Sequence, residues 1–69
     1  MIVIWHNSGF DRCDEYVYEC GSRKEALAWM SENGIVEFPG GINFWVREED
    51  VAAIGTSNID SWWIEEIWG

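Results

Sequence analysis

Cations are scarce in this chain. Four lysine and arginine residues stand against thirteen aspartate and glutamate residues, so that the net charge is -9. Phosphate backbones repel a body this negative, so the charge argues against direct binding of DNA or RNA. Two cysteines in 69 residues are also too few for a disulfide scaffold. Reduced thiols, and hence a cytoplasmic location, are the expectation.

Long apolar runs are missing as well. None reaches the roughly 18 residues of a membrane helix, and the first residues lack the basic region of a secretory signal. With one proline and no repeat or linker, residues 1–69 predict a single compact domain without membrane contact. The expected location is the cytoplasm, or the host cytoplasm if a phage encodes the protein.

The sequence carries no catalytic or metal-binding signature. His6, Cys13 and Cys20 have neither the spacing of a zinc knuckle nor a third group that would orient a Cys–His pair. Residues 38–41 lack the lysine and the helix start of a phosphate-binding loop. We therefore expect no enzymatic activity, no catalytic residues, no cofactor and no metal.

Aromatic residues, by contrast, are abundant: the chain has six tryptophans, two tyrosines and three phenylalanines. A domain this small buries only about 60% of the surface that its unfolded chain exposes. Each buried aromatic side chain removes about 150–250 Å² from water, so tryptophan can substitute for size. Trp5, Trp29 and Trp45 lie where the sequence pattern leads toward a core.

The first half of the chain predicts a hairpin followed by a helix. Residues 1–6 form an apolar run typical of a central strand, and residues 15–20 alternate, with Tyr16, Tyr18 and Cys20 on one face.

The helix is predicted over residues 23–33. Ser22 and Glu25 form a capping box at its start, and Gly34 follows its end. Its inner stripe is Ala26, Leu27 and Met30.

The second half predicts more strands. Residues 43–47 are rich in aromatic and β-branched side chains, and residues 51–54 fit either a short strand or one helical turn. Residues 61–68 are ambiguous: periodicity slightly favours a helix, whereas composition favours a strand that closes the sheet. The predicted fold is α+β, with an antiparallel sheet of four or five strands, the helix on one face, and a ββαβββ order. A single helix covers one face only, which leaves the other available to a partner.

The candidate partner-binding residues combine acidic clusters with the tryptophans of the C-terminal segment. Closely spaced carboxylates can imitate the phosphates of a duplex, and tryptophan is enriched at binding hot spots. If residues 61–68 form a strand, Trp62 and Trp63 point to opposite faces. The candidates are Glu48, Glu49, Asp50, Asp60, Trp62, Trp63, Glu65, Glu66 and Trp68.

These features favour an acidic, non-enzymatic inhibitor that occupies the basic, nucleic-acid-binding surface of another protein. Small acidic phage proteins that block host nucleases, polymerases or CRISPR effectors have this general profile, although no motif links the sequence to one such family. Two alternatives remain open. One is a homo-oligomeric structural subunit, for example a homodimer, that buries its aromatic face between copies. The other is an oligomeric sponge for a nucleotide-like small molecule.

Overall fold

The fold is a five-stranded antiparallel sheet with one α-helix, as predicted. A computed structural model of the chain describes residues 1–11, 13–53, 55 and 58–68. The strand order across the sheet is β2-β1-β5-β4-β3. None of the helices among these described residues is long and apolar enough to span a membrane. The elements are β1 (Ile2–Asn7), β2 (Asp14–Cys20), α1 (Arg23–Glu32), β3 (Ile35–Glu37), β4 (Trp45–Arg47), a 3-10 helix (Glu48–Ala53) and β5 (Ser61–Glu66).

The interior strands confirm two predictions from the sequence. Ile2, Val3 and Ile4 of β1 are all buried, and the strand is central in the sheet, between β2 and β5. Residues 61–66 form strand β5, and the backbone N–H of Ile67 continues the pairing by donating to the carbonyl of Met1 (2.8 Å). The helical alternative for this segment is therefore wrong where the strand forms.

The helix has the predicted start and end. The Ser22 hydroxyl accepts a hydrogen bond from the backbone N–H of Glu25 (3.3 Å), and Gly34 follows the helix with a φ of 70°. Ala26 and Met30 are fully buried against the sheet. Leu27, predicted to share their stripe, is 38% exposed. Successive side chains are rotated by about 100° around the helix axis, and this rotation places Leu27 beside the buried stripe of Ala26 and Met30 and not within it.

The core lies between α1 and one face of the sheet. Three tryptophans contribute to it: Trp45 and Trp62 are buried, and Trp29 packs against the core while stacking on Tyr18 (5.4 Å between ring centroids). The buried members of the cluster are Ile2, Ile4, Ala26, Met30, Ile35, Trp45, Trp62 and Ile64.

A β-bulge in β2 overturns the predicted alternation of that strand. Ile4 pairs with Tyr18 and Trp5 pairs with Tyr16, so Val17 is the extra residue. Tyr18 and Cys20 pack against the core as one face. Side chains of a strand alternate between its two faces, and the extra residue Val17 shifts this alternation by one. Tyr16 therefore lies on the face opposite to Tyr18 and Cys20.

The fifth strand is not the one that the sequence pattern indicated. Residues 51–54 were expected to form a short strand or a helical turn. The helical alternative is confirmed for residues 51–53, which end the 3-10 helix, and Ile54 lies outside the described residues. The strand is β3, which pairs Val36 with Val46 of β4. The three residues of β3 follow the helix directly and are too few to show an alternation of apolar and polar side chains, so the sequence did not predict this strand.

Strand β4 is joined to β5 by one residue pair, Trp45 with Trp62. The predicted strand 43–47 begins only at Trp45, because Asn43 adopts a positive φ of 53°. The side-chain amide of Asn43 replaces the backbone hydrogen bonds that the strand lacks at this position. Asn43 Nδ2 donates to the carbonyl of Ile64 (2.8 Å), and Asn43 Oδ1 accepts from the N–H of Ile64 (2.9 Å).

Candidate interaction face

The face of strands β2, β1 and β5 that points away from α1 carries aromatic and acidic side chains in rows. We call it the open face. Its register follows from the pairing of β1 with both neighbours, since directly paired residues share a face. The three rows are Asp14–Asn7–Ser61, Tyr16–Trp5–Trp63 and Glu19–Val3–Glu65.

The middle row is a ladder of three aromatic rings. Trp5 and Trp63 are stacked, with ring centroids 5.8 Å apart and planes 16° from parallel. Tyr16 meets Trp5 edge to face at 6.2 Å. Both arrangements are preferred by aromatic pairs. The ladder is not sealed from solvent: Tyr16 is 53% exposed, and Trp5 and Trp63 are half-buried.

Each ring of this row donates a hydrogen bond to a carboxylate. Trp5 Nε1 donates to Glu65 Oε1 (3.0 Å) and Trp63 Nε1 donates to Asp14 Oδ1 (3.3 Å). The Tyr16 hydroxyl donates to a third carboxylate, Oε1 of Glu19, at 2.6 Å. These bonds fix the rings and the carboxylates relative to each other.

Glu19 also changes the acidity of Tyr16. The hydrogen bond to the Glu19 carboxylate, together with burial and the negative charge of that carboxylate, raises the pKa of Tyr16 above its ordinary value of 10.0. The protonated phenol is favoured because it can donate to the carboxylate, whereas a phenolate would be repelled by it.

The carboxylates of the open face have no cation among the described residues. The ion pairs in that part of the chain lie elsewhere, and none includes Asp14, Glu19 or Glu65. Within the described part of the chain, the open face therefore combines apolar ring surface with carboxylates that pair with no lysine or arginine.

A second acidic cluster lies on the helix side of the sheet and contains an arginine. Arg47 Nη1 is 2.8 Å from Asp60 Oδ2 and 3.9 Å from Asp50 Oδ2, and its guanidinium lies 5.1 Å from the ring centroid of Trp62. The hydrogen bond from Arg47 holds the pKa of Asp60 below its ordinary value, against the opposing effect of burial. We call Arg47, Asp50, Asp60 and Trp62 the arginine cluster.

His6 borders the arginine cluster. Its ring lies 4.9 Å from that of Trp62, its Nε2 is 3.5 Å from Asp60 Oδ1, and its Nδ1 is 3.1 Å from Glu15 Oε1. The backbone N–H of Gly9 donates to the same Asp60 oxygen (3.4 Å). Asp60 thus accepts hydrogen bonds from Arg47 and from the backbone of Gly9, and the His6 ring lies beside it.

The structure divides the nine candidate residues from the sequence among several places. Trp63 and Glu65 lie together on the open face. Asp50, Asp60 and Trp62 belong to the arginine cluster, and Trp62 is only 7% exposed, so a partner could reach little of its ring. Their role in binding stays a prediction, whereas their contacts with Arg47 join β4, the 3-10 helix and β5 within the chain.

The other four candidates do not join the open face. Glu48 and Glu49 are exposed on the 3-10 helix, and Glu48 lines a groove of ≈ 420 Å³ beside β3. Glu66 is 3.7 Å from Arg23, at the start of α1. Trp68 follows β5 and is 87% exposed.

Sequence reasoning missed four residues of the open face: Trp5, Tyr16, Asp14 and Glu19. Trp5 was expected in the core, and that prediction is wrong. The alternation of β1 contained the signal, since Ile2 and Ile4 face the helix and Trp5 must then face away. No pattern revealed Tyr16, because its position depends on the bulge.

The residues considered for thiol or metal chemistry lie apart from the open face. Cys13 is exposed, and the Cys20 thiol donates to the backbone carbonyl of Ser22 at 3.2 Å. Within residues 1–11, 13–53, 55 and 58–68, no group of three or more His, Cys, Asp or Glu residues is arranged to hold a metal ion.

Comparisons of this chain with protein-family models, with curated proteins and with solved structures found no match. The geometry offers a partly exposed aromatic row flanked on both sides by carboxylates. Such a surface can contact apolar groups and attract cations at the same time.

Proposed function

We propose that this protein is a non-enzymatic inhibitor that occupies a basic, nucleic-acid-binding surface of another protein. One observation carries the proposal: the open face presents aromatic rings together with the carboxylates of Asp14, Glu19 and Glu65, none of which has a cationic neighbour among the described residues. Aromatic rings supply contact area, and the carboxylates select a positive partner.

The net charge of -9 supports the same proposal. Exposed carboxylates on the open face and on the 3-10 helix, where Glu48 and Glu49 lie, spread negative charge over more than one side of the domain. A basic protein surface shaped for phosphates attracts such an array. Because this attraction acts between solvated charges, added salt must weaken it.

The test begins with the partner. The chain is immobilised, an extract of the cell in which it acts is passed over it, and the retained protein is purified. We expect the chain to displace a fluorescent oligonucleotide from that protein, with a competition constant that rises steeply between 50 and 300 mM salt. Displacement that is absent, or that does not depend on salt, would contradict the proposal.

A matched pair of variants locates the contact. Asp14→Asn/Glu65→Gln removes two charges from the open face, and Glu48→Gln/Glu49→Gln removes two from the 3-10 helix. We expect the first variant to weaken displacement more than the second. An equal loss from both would mean that net charge acts without a defined contact face.

A homo-oligomer is the second candidate, favoured by the half-buried rings of Trp5 and Trp63 on a face that α1 does not cover. Charge opposes it, because two copies meeting through this face would bring their carboxylates together. Light scattering at micromolar concentration distinguishes the two: a dimer lost in Trp63→Ala would favour the oligomer. The nucleotide sponge has less support, since phosphates would meet the same carboxylates.

A further inference from the structure

We propose that the open face is a seat for an arginine side chain of the partner protein. In this seat the guanidinium lies against the Trp5–Trp63 stack, and Glu65 and Asp14 pair with its N–H groups. The inference rests on the proposed function and names the chemical group that the inhibitor recognises. Three steps lead to it.

First, the chain binds one of its own arginines in this way. Arg47 lies over the ring of Trp62, with its guanidinium carbon 5.1 Å from the ring centroid. Asp60 accepts its hydrogen bond at 2.8 Å, and Asp50 is 3.9 Å away. This fold thus holds a guanidinium against a tryptophan ring, with one carboxylate as hydrogen-bond acceptor and a second carboxylate nearby.

Second, the open face carries the same kinds of group, and none of the cations among the described residues pairs with them. Trp63 and Trp5 supply ring surface, and Asp14 and Glu65 supply the two carboxylates on either side of the row. Hydrogen bonds among the described residues engage Oε1 of Glu65 and Oδ1 of Asp14. The second oxygen of each carboxylate remains available to an incoming donor.

Third, the geometry favours arginine over lysine. A guanidinium is planar, stacks on an indole and donates in several directions from one plane, so it can contact a ring and two carboxylates together. A lysine ammonium is a compact, strongly hydrated charge that gains less from the ring. A partner surface that holds nucleic acid is rich in both residues, so this preference is a property that can be measured.

The experiment uses the full chain and two defined probes, a hexa-arginine and a hexa-lysine peptide, at low and at moderate salt. Binding is followed through the six indole N–H signals in a ¹H–¹⁵N correlation spectrum. We expect the arginine peptide to bind about three to five times more tightly. The indole signals of Trp5 and Trp63 should shift, whereas that of buried Trp45 should not.

Two double variants of equal charge serve as the control. Asp14→Asn/Glu65→Gln keeps acceptor oxygens for the indole N–H groups, so the rings stay in place; a thermal unfolding curve checks the fold. We expect it to weaken hexa-arginine binding about three- to tenfold and to abolish the preference over hexa-lysine. Glu48→Gln/Glu49→Gln should keep that preference.

The outcomes separate the two proposals. Equal affinity for both peptides, or equal losses in both variants, would overturn the arginine seat, while displacement of nucleic acid by the wild-type chain would still support the inhibitor. Shifts confined to the signals of other tryptophans would likewise overturn the seat. A clear preference for the arginine peptide, without displacement of nucleic acid, would support the arginine seat and contradict the inhibitor function.

Discussion

The two faces of the sheet contain the same chemical groups in opposite states. On the helix side, the arginine cluster joins a tryptophan, two carboxylates and a guanidinium, and Trp62 is buried. On the open face, tryptophans contact carboxylates, but none of the described arginine residues forms an ion pair with those carboxylates. The first set is satisfied within the chain and stabilises the fold. The carboxylates of the second set have no cationic partner among the described residues, and this difference is the basis for proposing the open face as the contact face.

Removing one tryptophan from each face should give the largest difference. Trp62→Ala leaves a cavity in the core and is expected to lower the free energy of unfolding by about 3–5 kcal/mol. Trp63→Ala removes a half-buried ring and should cost about 1 kcal/mol. Urea denaturation followed by circular dichroism measures both. Equal costs would show that the two faces are equally important to stability and would break the comparison.

Acid should affect the arginine cluster in a definite direction. The pKa of Asp60 is lowered by Arg47. Its contribution to stability is therefore fully present above the ordinary value of 3.8 and is lost as the pH falls through the lower folded-state pKa. Arg47→Met removes the ion pair and keeps contact with Trp62. It should cost about 1 kcal/mol at neutral pH.

The measurement is the free energy of unfolding of both proteins from about pH 6 to pH 2. The gap between wild type and Arg47→Met should narrow as the pH falls below 3.8. Comparing the two proteins removes the effect of the other carboxylates, which titrate in both. A constant gap would mean that Arg47 stabilises the fold by packing on Trp62 rather than through Asp60.

The smallest effect concerns the edge of the open face. Glu19→Gln removes the charged acceptor of the Tyr16 hydroxyl, so the pKa of Tyr16 should fall toward 10.0. Ultraviolet absorbance during an alkaline titration reports this change, and Tyr16→Phe identifies the signal. The free energy of unfolding should change little, because both groups are exposed. An unchanged pKa would mean that the 2.6 Å hydrogen bond does not persist in solution.

Local signals predicted most of the fold. The cap formed by Ser22 and Glu25 and the apolar run of β1 gave a helix and a strand with almost the observed bounds. Strand β3 could not be predicted, because its three residues are stabilised by pairing with β4 and have no pattern of their own. The bulge at Val17 was also beyond the sequence, since it depends on how two strands align.

The candidate site was predicted only in part for the same reason. Trp63 and Glu65 were named because both lie in the C-terminal segment, yet their neighbours on the open face come from β1 and β2. Proximity along the chain grouped Trp62 with Trp63, whereas the pleat of the strand places them on opposite faces. Asp60 was identified by its charge, and nothing in the sequence indicated its contact with Arg47.

The Asn43 amide has a consequence for how the domain opens. Because Asn43 and a single residue pair join β4 to β5, the hairpin of β3 and β4 has few hydrogen bonds to the three longer strands, and it is held to them mainly by the core packing of Ile35 and Trp45. We therefore expect two units of different local stability, with the hairpin detaching before the sheet as a whole unfolds. The backbone amide of Ile64, bonded to Asn43, should exchange with deuterium at the rate set by that detachment. Amides between β1 and β5 should exchange only through global unfolding, so the three strands that carry the open face form the more persistent unit.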